Sequence, residues 1–186
     1  MRVSRRDFLA RAATTAAAAA LPWSFDSLTL AQDKPSEAQG PPIPIIDTHI
    51  HLYDPERPQG APYAGPPGVP RMAAYPERYR KLAVPLGVVG AIKVEASPWI
   101  EDNLWVLEVA QKDSIIVGVV GNLEPDKPEF PEYLERYHKN PLFRGIRYGN
   151  LWGRDITKQS ANPDFISGLK RLAEADLVLD LSLIHI

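Results

Sequence analysis

From residue 43 onward, apolar and polar positions alternate in two different periods, and the two periods take turns along the chain. Residues 43–53 follow a period of two. Ile45, Asp47, His49 and His51 fall on one face, and Ile46, Thr48, Ile50 and Leu52 on the other. A second strand is predicted over 87–96, in Val-Val-Gly-Ala-Ile-Lys-Val-Glu-Ala, and a third over 114–123. The third is apolar on both faces, as expected of a parallel strand covered by helices. Residues 142–148 give a fourth strand, and 177–180 begin a fifth. Helical patterns fill the intervals. A short helix follows Pro76, with proline at its first position. Ser97 and Pro98 read as the cap and first residue of a helix reaching Gln111, with Leu104, Leu107 and Ala110 on one face. Phe130, Leu134 and Tyr137 mark the next helix. Asn162-Pro163 opens the last, whose stripe is Phe165, Ile166, Leu169, Leu172 and Ala173.

Strand and helix in strict alternation argue for an α/β fold with a parallel sheet. The alternation alone does not separate an open doubly wound sheet from a barrel. The first strand is not followed by Gly-x-Gly-x-x-Gly, so a dinucleotide site lacks its phosphate loop. The connection over 54–75 is rich in Pro and Gly and too long for an ordinary strand-to-helix link, which marks it as a loop that shapes a site.

Composition narrows the chemistry. The 186 residues fit one domain, and the mix of 45% hydrophobic and 24% charged residues is that of a soluble globular protein. A net charge of −2 supplies no basic field, so nucleic acid is not expected as a partner. There is no cysteine, which removes disulfides, thiolate metal sites and cysteine nucleophiles. A metal here has only His and carboxylates to hold it, a donor set that suits Zn or Mn.

The first residues read as an address. Ser4-Arg5-Arg6-Asp7-Phe8-Leu9 resembles a twin-arginine export signal. An alanine-rich apolar run follows to Trp23, and Thr29 and Ala31 supply small residues for cleavage. The run is shorter than the ~20 residues that span a bilayer. Residues 1–31 are therefore expected to be a signal peptide, with the twin-arginine machinery as a partner and a periplasmic or extracellular destination. An alanine-rich amphipathic helix or a retained anchor is the alternative. Residues 32–42 are polar and proline-bearing, as in a flexible spacer. At the other end, Leu181-Ser182-Leu183-Ile184-His185-Ile186 resembles the translation of a transposon-end sequencing adapter. The expectation is a native sequence that continues differently after Asp180, with no function for His185.

His49 and His51 carry the sharpest chemical signal. Two residues apart in a strand, they project together. Two neutral imidazoles at the C-terminal end of a barrel strand face the place where barrels do chemistry, and they can hold a divalent metal or a substrate oxygen. Asp47, one pair earlier, is expected to support the site from behind. Arg147 ends the fourth strand in phase with Gly145 and Phe143. Its planar fork suits a substrate carboxylate or carbonyl, or else an acid on a neighbouring strand. Arg144, on the other phase, is expected to face a covering helix. Glu95 ends the second strand in phase with Lys93, placed to bind a polar substrate group or to pair with Lys93 or Arg147. Trp152, in the loop after the fourth strand, is read either as a pocket wall or as an aromatic packed on the next helix. His138 ends a helix, where a cation is favourable, and is not expected to be a ligand.

At these residues the sequence resembles the amidohydrolase superfamily, in particular its group of sugar lactonases, pyrone-dicarboxylate lactonases and metal-dependent decarboxylases. The resemblance rests on the Asp47-Thr48-His49-Ile50-His51 strand, on Lys93-Val94-Glu95-Ala96-Ser97-Pro98, and on Phe143-Arg144-Gly145-Ile146-Arg147. It implies a (β/α)8 barrel, of which residues 43–180 are about the first five strands. It implies His49 and His51 as catalytic residues and ligands of a divalent metal such as Zn, and Glu95 as a substrate contact; Arg147 and Trp152 are the further candidates for substrate contact by their positions. A later histidine and a strand-eight aspartate, the usual general base, would follow this stretch. The activity implied is hydrolysis of a lactone or another cyclic ester or amide, with a small molecule as substrate. Decarboxylation on the same scaffold and a noncatalytic exported binding protein are the alternatives. With half a barrel missing, this chain alone is expected to be inactive.

Overall fold

The computed structural model describes residues 43–59, 61–62 and 72–183. The predicted signal peptide, the spacer to residue 42, part of the long loop and residues 184–186, His185 among them, lie outside the described residues. Among those described, no helix is long and apolar enough to cross a membrane.

Five strands form one sheet: β1 (Ile45–Ile50), β2 (Val88–Val94), β3 (Ile116–Gly121), β4 (Phe143–Gly149) and β5 (Val178–Ser182). All neighbours are parallel, and the spatial order is the sequence order, β1 to β5. A doubly wound sheet reverses its order at a switch point. This one never does, so the helical crossovers all fall on one side and the sheet curls as part of a (β/α) barrel. The helices are α1 (Pro76–Ala83), α2 (Asp102–Lys112), α3 (Phe130–His138), a single-turn α4 (Ile156–Gln159) and α5 (Pro163–Glu174). Pro76 and Pro163 occupy first-turn positions, and the Asn162 side chain caps α5 by accepting from the Asp164 N–H at 3.1 Å.

The core lies between sheet and helices. Ala91, Val119 and Ile146 are fully buried there against Val106, Leu107 and Ala110 of α2 and Leu134 and Tyr137 of α3. The opposite sheet face is open. Ile46 and Val117, which crowd over Gly90, are 45% and 37% exposed. Gly145 of the Phe143–Arg147 motif has a packing reason. A Cβ there would stand 2.1 Å from the Val178 carbonyl oxygen, so only glycine lets β5 come alongside.

Two expectations need correction. The helix predicted from Pro98 starts at Asp102 instead. The Ser97 hydroxyl does not cap a helix but donates to the Asp102 carboxylate. Arg57, from the loop after β1, pairs with the same carboxylate at 2.7 Å and stacks 4.2 Å over Trp105. The second correction concerns β1. Asp47 pairs with Ala91 but Ile50 with Lys93, three residues against two, so the register slips within the strand. Asp47 therefore shares a side with Ile50 rather than with His49. Its Oδ2 accepts from Tyr79 Oη of α1 at 2.8 Å, while Ile50 joins the core beneath the helices.

Candidate active site

His49 ends the slipped stretch of β1 and His51 follows the strand. The Oδ1 of Asp47 accepts from the backbone N–H of His49 at 3.1 Å, which fixes the turn of chain that carries the pair. The two rings stand edge to face, their centroids 5.0 Å apart. His51 Nδ1 lies 3.1 Å from the carbonyl oxygen of Val94, the last residue of β2. A carbonyl can only accept, so Nδ1 carries the proton and Nε2 the lone pair. Burial lowers the His51 pKa below its ordinary 6.5. The Val94 bond opposes that shift, and the positive charges of His49, Arg147 and Lys93 reinforce it. A neutral imidazole with a fixed tautomer is the form that ligates metal.

Among the described residues no group of three or more His, Asp, Glu or Cys converges as a metal cage. The donor set present is two imidazoles. It fits half of a tetrahedral site, with the remaining positions to be filled by other donors or water.

Arg147 lies on β4, opposite Asp180 of β5. Its Nε is 3.6 Å from Asp180 Oδ2, and its Nη2 donates to the Ser182 hydroxyl at 3.0 Å. The reading in which Arg147 meets an acid on a neighbouring strand describes this geometry. Nε and Asp180 Oδ2 are both buried without a hydrogen bond. Arg144 is exposed, and its stem lies over Gly118.

Glu95 is 2% exposed and does not reach Arg147. Its Oε1 accepts from the Trp152 indole N–H and from Arg154 Nη2, the latter at 2.6 Å. Arg154 also donates to Asn122 Oδ1 at 3.1 Å and to the Leu151 carbonyl at 3.1 Å, and it lies over the Tyr148 ring. Asn122 is held in turn by a reciprocal pair of 2.8 Å bonds with Asn103 of α2. Trp152 is half-buried, with its indole N–H committed to Glu95. Its backbone is left-handed, with φ of 57°, followed by Gly153 at 76°, and this turn aims its indole at Glu95. Burial raises the Glu95 pKa, with Arg154, Trp152 and Lys93 pulling the other way. Lys93 is 4% exposed. Burial lowers its pKa to about 8 against the attraction of Glu95 and Asp102. His138 lies in the last turn of α3, away from these groups.

The sequence pattern did not assign roles to Arg154, Asn122 or Asp180. The available signal was a cation close after a strand end that carries a buried acid, but 59 residues separate Arg154 from Glu95.

The geometry defines one wall of a parallel (β/α) barrel, with an imidazole pair at the end of its first strand. The amidohydrolase family profile matches residues 46–185, and the chain belongs to that family. No curated protein matches the sequence. Among solved structures, an amidohydrolase from Burkholderia multivorans with bound HEPES is similar at 24% identity, over 76% of this chain and 49% of that one, with a TM-score of 0.67. A structure of an amidohydrolase from the same organism with bound zinc is similar at the same identity and TM-score, over 76% of this chain and 50% of that one. A probable 2-pyrone-4,6-dicarboxylic acid hydrolase from Acinetobacter baumannii, with citric acid bound, is 17% identical over 75% of this chain and 49% of that one, with a TM-score of 0.56. The chain spans about half the length of these structures. At such identities the likeness is one of fold.

Proposed function

We propose that the protein is an amidohydrolase-family hydrolase of a small cyclic ester or amide, a lactone above all, with His49 and His51 in its active site. The observation that carries this reading is the pair itself: two imidazoles at the end of β1, one with its Nδ1 proton committed to the Val94 carbonyl. His49 and His51 would hold a divalent metal, zinc being the ion named for one structural relative. When bound, such a metal brings the pKa of its water toward about 7 and polarises a carbonyl oxygen. The chain's own residues do the rest. His51 offers Nε2 as the lone-pair nitrogen. Arg147, paired with Asp180, lies near enough to His51 to influence its charge, and its guanidinium would hold a substrate carbonyl or carboxylate. Glu95 and Trp152, bonded to each other, shape the adjoining rim. A dicarboxylic acid substrate, as named for the similar Acinetobacter baumannii hydrolase, would suit a cationic side chain at this position.

The proposal extends to export through the N-terminal segment, residues 1–31. The test is an assay of the purified protein with panels of lactones and of aromatic or unsaturated carboxylic acids, before and after chelation. Opening of a lactone, abolished in His49→Ala, is the expected result. Release of carbon dioxide without lactone opening would replace the hydrolase reading with the decarboxylase one.

A further inference from the structure

We infer that Glu95 is a positioning residue for His51, and that the loop after β4 sets the tautomer of that histidine through it. This inference rests on the placement of His51 in the active site proposed above.

The path is short. β2 ends at Val94, and Glu95 is the first residue past the ladder. The peptide unit joining them carries the carbonyl that takes the His51 proton at 3.1 Å. β1 ends at Ile50, so it is the His51 side chain rather than a further strand residue that meets this carbonyl. One side of the peptide is held by the β2–β3 ladder, where Val94 pairs with Val120. The other side continues into Glu95, whose backbone has no ladder partner. What fixes it is its side chain, clamped at Oε1 by Trp152 and by Arg154. The clamp is itself rigid. Arg154 is tied to Asn122, and Asn122 to Asn103 of α2. A buried acid that receives two donors from a left-handed turn some 57 to 59 residues away is an expensive arrangement for a strand end. Its geometric effect is to hold the plane of the Val94–Glu95 peptide. A carbonyl held in place selects the Nδ1–H tautomer of His51 and leaves Nε2 as the lone-pair nitrogen.

Substitution and nitrogen NMR test this without turnover. The full chain, metal-free and at about pH 8 where an imidazole is neutral, is labelled with 15N at its four histidines, and His51 is assigned by its loss in His51→Gln. The wild type is expected to show His51 protonated at Nδ1. Glu95→Ala is expected to move the tautomer ratio toward Nε2–H by roughly two- to tenfold, the worth of one hydrogen bond. Glu95→Gln, which keeps an acceptor for Trp152 and Arg154, is expected to restore the wild-type pattern. Should Glu95→Ala not fold, Trp152→Phe combined with Arg154→Leu removes both donors of the clamp from the loop side and is read the same way. Wild-type nitrogen shifts in folded Glu95→Ala or in this double variant would overturn the inference, as would a Gln variant that shifts as far as Ala. Because the readout needs neither metal nor substrate, it stands or falls separately from the hydrolase reading. A chain that hydrolyses nothing still reports its tautomer.

Discussion

Arg147 and Asp180 stand opposite each other across the β4–β5 register, with Nε and Oδ2 3.6 Å apart and both atoms buried. Their charges neutralise each other without spending these two atoms on a mutual hydrogen bond. Removing the acid alone leaves a buried guanidinium. Asp180→Ala is therefore expected to lower stability by about 1–2 kcal/mol, less than a fully buried pair would lose because the carboxylate is partly exposed. Urea unfolding reads the loss. Arg147→Met is expected to be close to neutral in the same experiment. If Arg147 holds substrate, it should also raise KM for acidic lactones about tenfold or more. An unchanged KM would remove Arg147 from the substrate site.

The histidine pair gives the second prediction. His49→Ala and His51→Ala should each reduce kcat/KM by on the order of a thousandfold, since a bound metal supplies several kcal/mol of charge stabilisation. Zinc content measured alongside should fall with activity. Full activity in either variant would take the pair out of the mechanism.

Lys93 gives a dependence of stability on pH. Its pKa is 10.5 in the ordinary state and about 8 when folded. Below pH 8 both states hold the proton, and the folded protein bears the whole cost of a buried charge. Between pH 8 and 10.5 the unfolded chain binds more protons, so this group makes stability rise with pH. Above that window the cost is gone. Lys93→Met should thus stabilise the protein at neutral pH by on the order of 3 kcal/mol. The gain should vanish in the alkaline range. Thermal unfolding of both proteins across this range is the check, and a gain independent of pH would contradict it.

Gly145→Ala should destabilise by about 1–3 kcal/mol through overpacking, because the new methyl meets the Val178 carbonyl. Gly153→Ala is the contrast. Nothing lies within 4 Å of a Cβ there, so its cost comes from the left-handed backbone alone. Chemical unfolding of the two variants separates crowding from conformation.

Much of the fold was legible because strand and helix periods depend on local spacing. The strand cores, the first-turn proline at Pro76 and the Asn162 cap follow directly from local sequence. The false start at Pro98 shows the limit. Ser97 and Pro98 have the right types for a helix entry, but Asp102 and Arg57 offered the serine and its loop better partners. The sheet order, which distinguishes barrel from open sheet, is a long-range property that periodicity does not contain. The spacing of His49 and His51 predicts that they project together, and their rings do stand 5.0 Å apart. The sequence did not locate the Arg154 clamp on Glu95, because ion pairs between distant strand ends leave no spacing behind.

The slip in β1 divides the strand between two employers. Its first half answers to α1 through Asp47 and Tyr79, and its second half presents the histidines. The extra residue between Asp47 and Ile50 is thus there for the site and not for the core. Deleting Thr48 would restore regular pairing and leave Ile50 on the side of Asp47, so the core contact would survive while the kink that carries His49 was lost.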